Sequence, residues 1–111
     1  MAIEYLQKTI IDSNTQITSY ILVLSDQTKI ILMNVGSANT LTIPLDSSVS
    51  FPIGTQILIC QYGAGQTTIT PTLGVTLISV GGKTKLTSQY SMATIIKIAT
   101  DEWILSGDIT T

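Results

Sequence analysis

A chain that performs chemistry must place nucleophiles, bases or metal ligands at usable spacing, and this one supplies few of any. Its 111 residues include no histidine and no arginine, Cys60 is the only cysteine, and five lysines stand against seven acids. Without histidine, Cys60 and the numerous serine and threonine hydroxyls lack the usual general base. Cys60, inside the apolar run ILIC, is expected to be a small buried hydrophobe. Zinc and iron–sulfur sites lack ligands, and a disulfide within the chain is impossible. No catalytic residue, metal or cofactor is expected.

Two glycine motifs invite a nucleotide reading and fail it. GGKT at Gly81–Thr84 resembles the end of a phosphate-binding loop, but the glycine required five positions before Gly82 is replaced by Leu77. A strand-like run, KLTSQ, follows it where a helix N-terminus is needed. The motif is expected to be a turn at positive φ. YGAGQ at Tyr62–Gln66 lies between two strand-like runs with no helix after it, and reads as a hairpin turn. Asp101 and Glu102 are neighbours on what reads as a turn and strand start, where they would point apart rather than share a proton. Asp12, Asp26, Asp46 and Asp108 sit beside turn signals without the ligand spacing of a calcium loop. Tyr62, Tyr90 and Trp103 are the aromatic residues that a sugar-stacking platform would use, and burial in a core or between subunits is the competing expectation, above all for Trp103 within EWIL.

Charge excludes further classes. Charged residues form 11% of the chain, against about 25% in an average soluble domain, and the formal net charge is −2. Five scattered lysines make no cationic stripe for nucleic acid. The mean hydropathy of +0.44 suggests a membrane. Yet the uncharged stretch 47–82 is interrupted by Pro52, Gly54, Gly63, Gly65, Pro71 and Gly74, and its longest apolar run, Ile57–Cys60, is far shorter than the ~18 residues of a spanning helix. The opening MAIEYLQK carries Glu4 and no apolar block, unlike a secretory leader. The expectation is a protein made in a cytoplasm and kept there or released by lysis, with no nucleic-acid or membrane partner.

The elements that would position these residues are strands. The chain holds 18 isoleucines and 18 threonines, β-branched residues at ease on a pleated surface. From Ser19 onward, short apolar runs (SYILVL, KIILMNV, TLTIP, TQILICQ, QTTIT, VTLISV, KLTSQ, ATIIKIA, EWILSG) alternate with turn clusters at the spacing of a sandwich or small barrel. A jelly roll is among the topologies this pattern admits. Residues 1–18 read as an N-terminal docking arm, in which Ile3, Leu6, Ile10 and Ile11 have roughly helical spacing while the isoleucine and threonine content fits an extended arm equally well, and residues 19–111 as a single β-domain.

Thr40–Ile43 alternates polar and apolar, as a strand does with one face on a core. Ile21–Leu24, Ile30–Met33, Ile57–Cys60 and Ile95–Ile96 are apolar at both parities, so both their faces want cover. One small two-layer core covers one face of each sheet. The remaining apolar faces then call for other copies of the chain, with Ile31 and Ile96 expected in a core or a sealed interface, and Ile3, Leu6 and Ile10 as further contact candidates.

The ordered segments GSANTLTIP, FPIGTQI, GAGQTTI, GGKTKL and QYS resemble, over about residues 19–109, a β-domain recurrent in structural proteins of tailed bacteriophages. That domain occurs at the ends of tail fibres and in head-fibre and capsid decoration subunits. The resemblance implies a non-enzymatic virion component that assembles as a homotrimer in the host cytoplasm, and it brings no catalytic residue. Long fibres place the domain after an extended shaft, whereas only a short segment precedes it here. The resulting expectation is a decoration or cement subunit that binds the major capsid protein or another virion protein. The alternative is a tail-fibre-type receptor-binding domain that recognises host surface glycans through Tyr62, Tyr90 and Trp103.

Overall fold

The computed structural model describes residues 10–111 and is all-β. Its strands are β1 (Asp12–Gln16), β2 (Tyr20–Ile21), β3 (Lys29–Met33), β4 (Asn39–Ile43), β5 (Gln56–Cys60), β6 (Thr67–Pro71), β7 (Thr76–Ser79), β8 (Lys85–Leu86), β9 (Met92–Ala99), β10 (Glu102–Gly107) and β11 (Ile109–Thr110). They form two packed sheets, one ordered β1-β3-β5-β9-β10-β7 and the other β2-β4-β6-β8-β11. Odd and even strands therefore part company: from β1 to β9 the chain changes sheet after every strand. A chain that returns to its own sheet after visiting the other lays down parallel neighbours, and β1/β3, β3/β5, β2/β4 and β4/β6 are all parallel. The first half of the protein is thus a flattened coil. Antiparallel strands β8, β9 and β11 join it, and the β9–β10 hairpin completes the larger sheet.

This removes the jelly roll from the topologies that the sequence pattern admits, since a jelly roll is built from antiparallel pairs. It also corrects the reading of YGAGQ as a hairpin. The segment carries the chain from β5 in one sheet to β6 in the other, stacked on the equivalent crossing between β3 and β4. Gly63 N–H donates to Met33 O and Gly65 N–H to Val35 O, both at 2.9 Å. A Cβ on either glycine would overlap the backbone of Val35 or Ser37, so close approach of two backbones demands glycine here. Inside the same corner the buried side chains of Asn39, Gln61 and Thr67 satisfy one another and the turning backbone. Thr67 Oγ1 donates to Asn39 Oδ1 at 2.7 Å, and Gln61 Oε1 accepts from Thr67 N–H at 3.2 Å. GGK is a tight turn with Gly81 and Gly82 at φ 63° and 68°.

The core lies between the sheets. Ile31, Met33, Ile57, Ile59, Ile95 and Leu105 face Leu41, Ile43, Ile69 and Leu86, and all are essentially inaccessible. The alternation of β4 is as read: Leu41 and Ile43 point inward, while Thr40 is exposed and Thr42 half-buried. Ile31 lies in the chain's own core, one of the two places expected for it. β1 lies within the expected arm, yet all five of its residues pair with β3, because Asp12–Gln16 can hydrogen-bond to an open sheet edge without an apolar pattern of its own. Ile3 and Leu6 lie outside the described residues.

Candidate functional site

The residues with chemical potential are dispersed. Cys60 is a free, buried thiol, and burial pushes its pKa up, away from nucleophilic thiolate. Asp26 is fully buried with no cation beside it among the described residues. Its carboxylate accepts from Tyr20 Oη at 2.7 Å, Asn14 Nδ2 at 2.8 Å and Val23 N–H at 2.9 Å, and it ties β1, β2 and the 3-10 turn Leu24–Asp26 together. Desolvation, then the neighbouring Asp26, pushes Tyr20 up to about 12. Among the described residues no group of three or more His, Cys, Asp or Glu side chains gathers at one point, and no helix is long and apolar enough to cross a membrane.

The sequence reading missed Lys97. It stands on the inward parity of β9 with Ile95, only 2% exposed. Its Nζ donates to Asp46 Oδ1 and, at 2.7 Å, to Phe51 O. Both partners belong to the long connection between β4 and β5, so the lysine fastens that loop over the end of the core beside the perpendicular Phe51 and Trp103 rings, 5.6 Å apart. Lys97 holds the Asp46 carboxyl below its usual range. A lysine amid IIKI gives no hint of this in sequence, because its acid is fifty-one positions away.

Two surface features are candidates for function. The first is the outer face of the six-stranded sheet. Strand register sets Ile96, Ile104 and Ile78 side by side in one row, with Gln56 at its end. The next rows are Ile30, Leu58, Thr94 and Ser106, then Leu32, Cys60 and Met92. Ile78, Ile98 and Ile104 are 42%, 40% and 37% exposed, and Ile30, Leu32, Leu58 and Ile96 are half-buried. Cys60 is buried yet lies outside the core cluster, as its outward parity requires. At the Gln56 end the face opens into a groove of about 600 Å3 lined by Ile10, Ile11, Pro52, Ile53 and Leu58 among others. Of the five contact candidates, Ile96 sits centrally on this face and Ile10, exposed, on its rim.

The second feature is at the opposite end, where Tyr62 follows β5 and Tyr90 precedes β9. Their rings meet edge to face, 5.8 Å between centroids. Tyr62 is 46% and Tyr90 64% exposed, whereas Trp103 is 1% exposed in the core. Trp103 is therefore removed from the proposed sugar platform, because β10 turns it inward against Phe51. Tyr90 stands on the turn before β9, outside the core of its own chain. No family model matches the chain, and no curated protein matches it.

Proposed function

We propose that this chain is a non-enzymatic structural subunit of a bacteriophage particle, a homotrimer that decorates or cements the outer capsid surface. One observation carries the reading: the outer face of the six-stranded sheet is largely aliphatic and is left partly open by the described residues. Fully burying an isoleucine contributes about 1.5–3 kcal/mol, so covering several that are about two-fifths exposed supplies several kcal/mol to association. Glu102, at one edge, is the charged residue of outward parity on β10, and little charge is desolvated when a second copy packs there. The resemblance to phage virion β-domains supplies the number three, the particle and the major capsid protein as the surface bound.

Sedimentation velocity of the purified protein at micromolar concentration tests the assembly. A species of three times 11.9 kDa is expected, and a stable monomer overturns the proposal. Cryo-electron microscopy of the intact particle tests the position: density on the capsid shell is expected, and density confined to the tail removes the decoration role.

A further inference from the structure

The trimer uses the aliphatic part of the sheet face and leaves the tyrosine corner unexplained. Three observations there point the same way. Tyr90 holds φ at 73°, a left-handed conformation that bulky side chains rarely adopt. The surrounding backbone enforces it: Tyr90 N–H donates to the carbonyl of buried Gln61 at 2.6 Å, and Gln89 Nε2 donates to Tyr62 O at 3.2 Å. A strained backbone that displays a ring to solvent, where a relaxed glycine would fold as well, is a mark of a binding position. Both rings are exposed and near-perpendicular, 74° between planes, and present an aromatic face and an edge at one corner. Neither phenol hydroxyl has a hydrogen-bond partner among the described residues.

We infer that Tyr62 and Tyr90 form a binding site for a neutral sugar. A pyranose offers an apolar face of C–H groups to stack on a ring, and a rim of hydroxyls that each donate and accept. The corner supplies a ring face, two free phenols and the side-chain carbonyl of Gln89, and tyrosine gives this contact at small cost in side-chain entropy. An acid is tied to the residue that follows Tyr90: Asp108, bonded to Ser91. Its Oδ2 accepts from Ser91 Oγ at 2.7 Å, its N–H donates to Met92 O at 2.9 Å, and bonds from Ser91 and Thr87 keep its carboxyl below the usual range. A carboxylate accepts sugar hydroxyls and repels carboxylated or sulfated sugars, so the site selects uncharged glycans. Along the sheet, Tyr62 lies six residues beyond Gln56, about 20 Å from the Ile96–Ile104–Ile78 row, far enough for a sugar to bind while that row is covered. The site does not depend on where on the particle the protein sits.

Saturation-transfer NMR on the full chain tests the site. The probes are maltotriose, galactobiose and chitotriose, with sialyllactose as the anionic comparison. Transfer from tyrosine ring protons to at least one neutral probe is expected, with sialyllactose silent. Tyr90→Gly removes the ring and relaxes the positive φ, so the fold stays intact. It should weaken binding about tenfold or more, as should Tyr62→Ala, while Tyr90→Phe keeps most of it. The inference is overturned by transfer to none of the neutral probes, by preference for sialyllactose, or by affinity unchanged in Tyr90→Gly. It is equally overturned if Tyr90→Gly dissociates the oligomer, because the rings then serve packing between copies.

Discussion

At the residue scale the most consequential pair is Lys97 and Asp46. A nearly inaccessible ammonium persists because one carboxylate and one carbonyl receive its protons, and removing the acid strands the charge. The two single changes should therefore be unequal: Asp46→Ala lowers Tm further than Lys97→Met, since methionine fills the lysine's apolar channel without a charge to solvate. The pH dependence follows from the same contact. The folded Asp46 carboxyl titrates below the ordinary carboxylate value of about 3.9, so its contribution is complete above that value and is lost as pH falls through the lower folded one. Thermal melts between neutral pH and pH about 2 should fall more steeply below about 4 in the wild type than in Asp46→Asn; identical profiles would show that the pair carries no linkage. None of this was legible in sequence, because a strand lysine announces neither its direction nor a partner in a distant loop. Trp103 was legible, since a large aromatic inside the apolar run EWIL is expected to be buried. Tyr90 was not, because its exposure is set by a turn whose φ no residue type prescribes.

At the element scale, strand identity was readable and strand partnership was not. Seven of the nine apolar runs in the sequence hold the longer strands β3 to β7, β9 and β10, SYILVL and KLTSQ hold only the two-residue β2 and β8, and β4 faces as its alternation demands. Yet parallel pairing of β3 with β5 joins Ile30 to Leu58 across an excursion through the other sheet, and no local signal distinguishes that from a hairpin. The glycines of GAG were seen, but their reason was misread. They admit a neighbouring backbone, a long-range demand, whereas Gly81 and Gly82 answer a local one. The strands apolar at both parities divide in the same way: the pattern marks them as wanting cover on two sides and cannot say which side the chain's own core supplies. Ile31 and Ile96 separate the two outcomes. Ile31→Lys places a charge in the sealed core and should cost several kcal/mol, abolishing the cooperative melt and native circular dichroism. Ile96→Lys charges the outer face, so the spectrum and fold remain while sedimentation shifts from oligomer to monomer. A folded oligomer in Ile96→Lys would exclude this face as the contact.

At the scale of the whole molecule, the two ends of the larger sheet's outer face have different characters, and that difference determines how assembly should respond to conditions. The isoleucine row and the groove beside it are uncharged, so association through them relies on removing apolar surface from water rather than on ion pairing. Added salt screens charges but does not weaken such contacts, and strongly hydrated salts reinforce them. The proposed oligomer should therefore persist from low to molar sodium chloride and tighten in sulfate. An assembly held by the five lysines and seven acids would loosen instead. Because folding and association are then linked, Tm should also rise with protein concentration, as it does whenever the partner is another folded copy. Calorimetry over a hundredfold range of concentration, repeated in chloride and in sulfate, reads both effects on one sample. A Tm independent of concentration, or an oligomer dispersed by chloride alone, would mean that the aliphatic face is tolerated in water by a subunit that stands alone or associates through its charges.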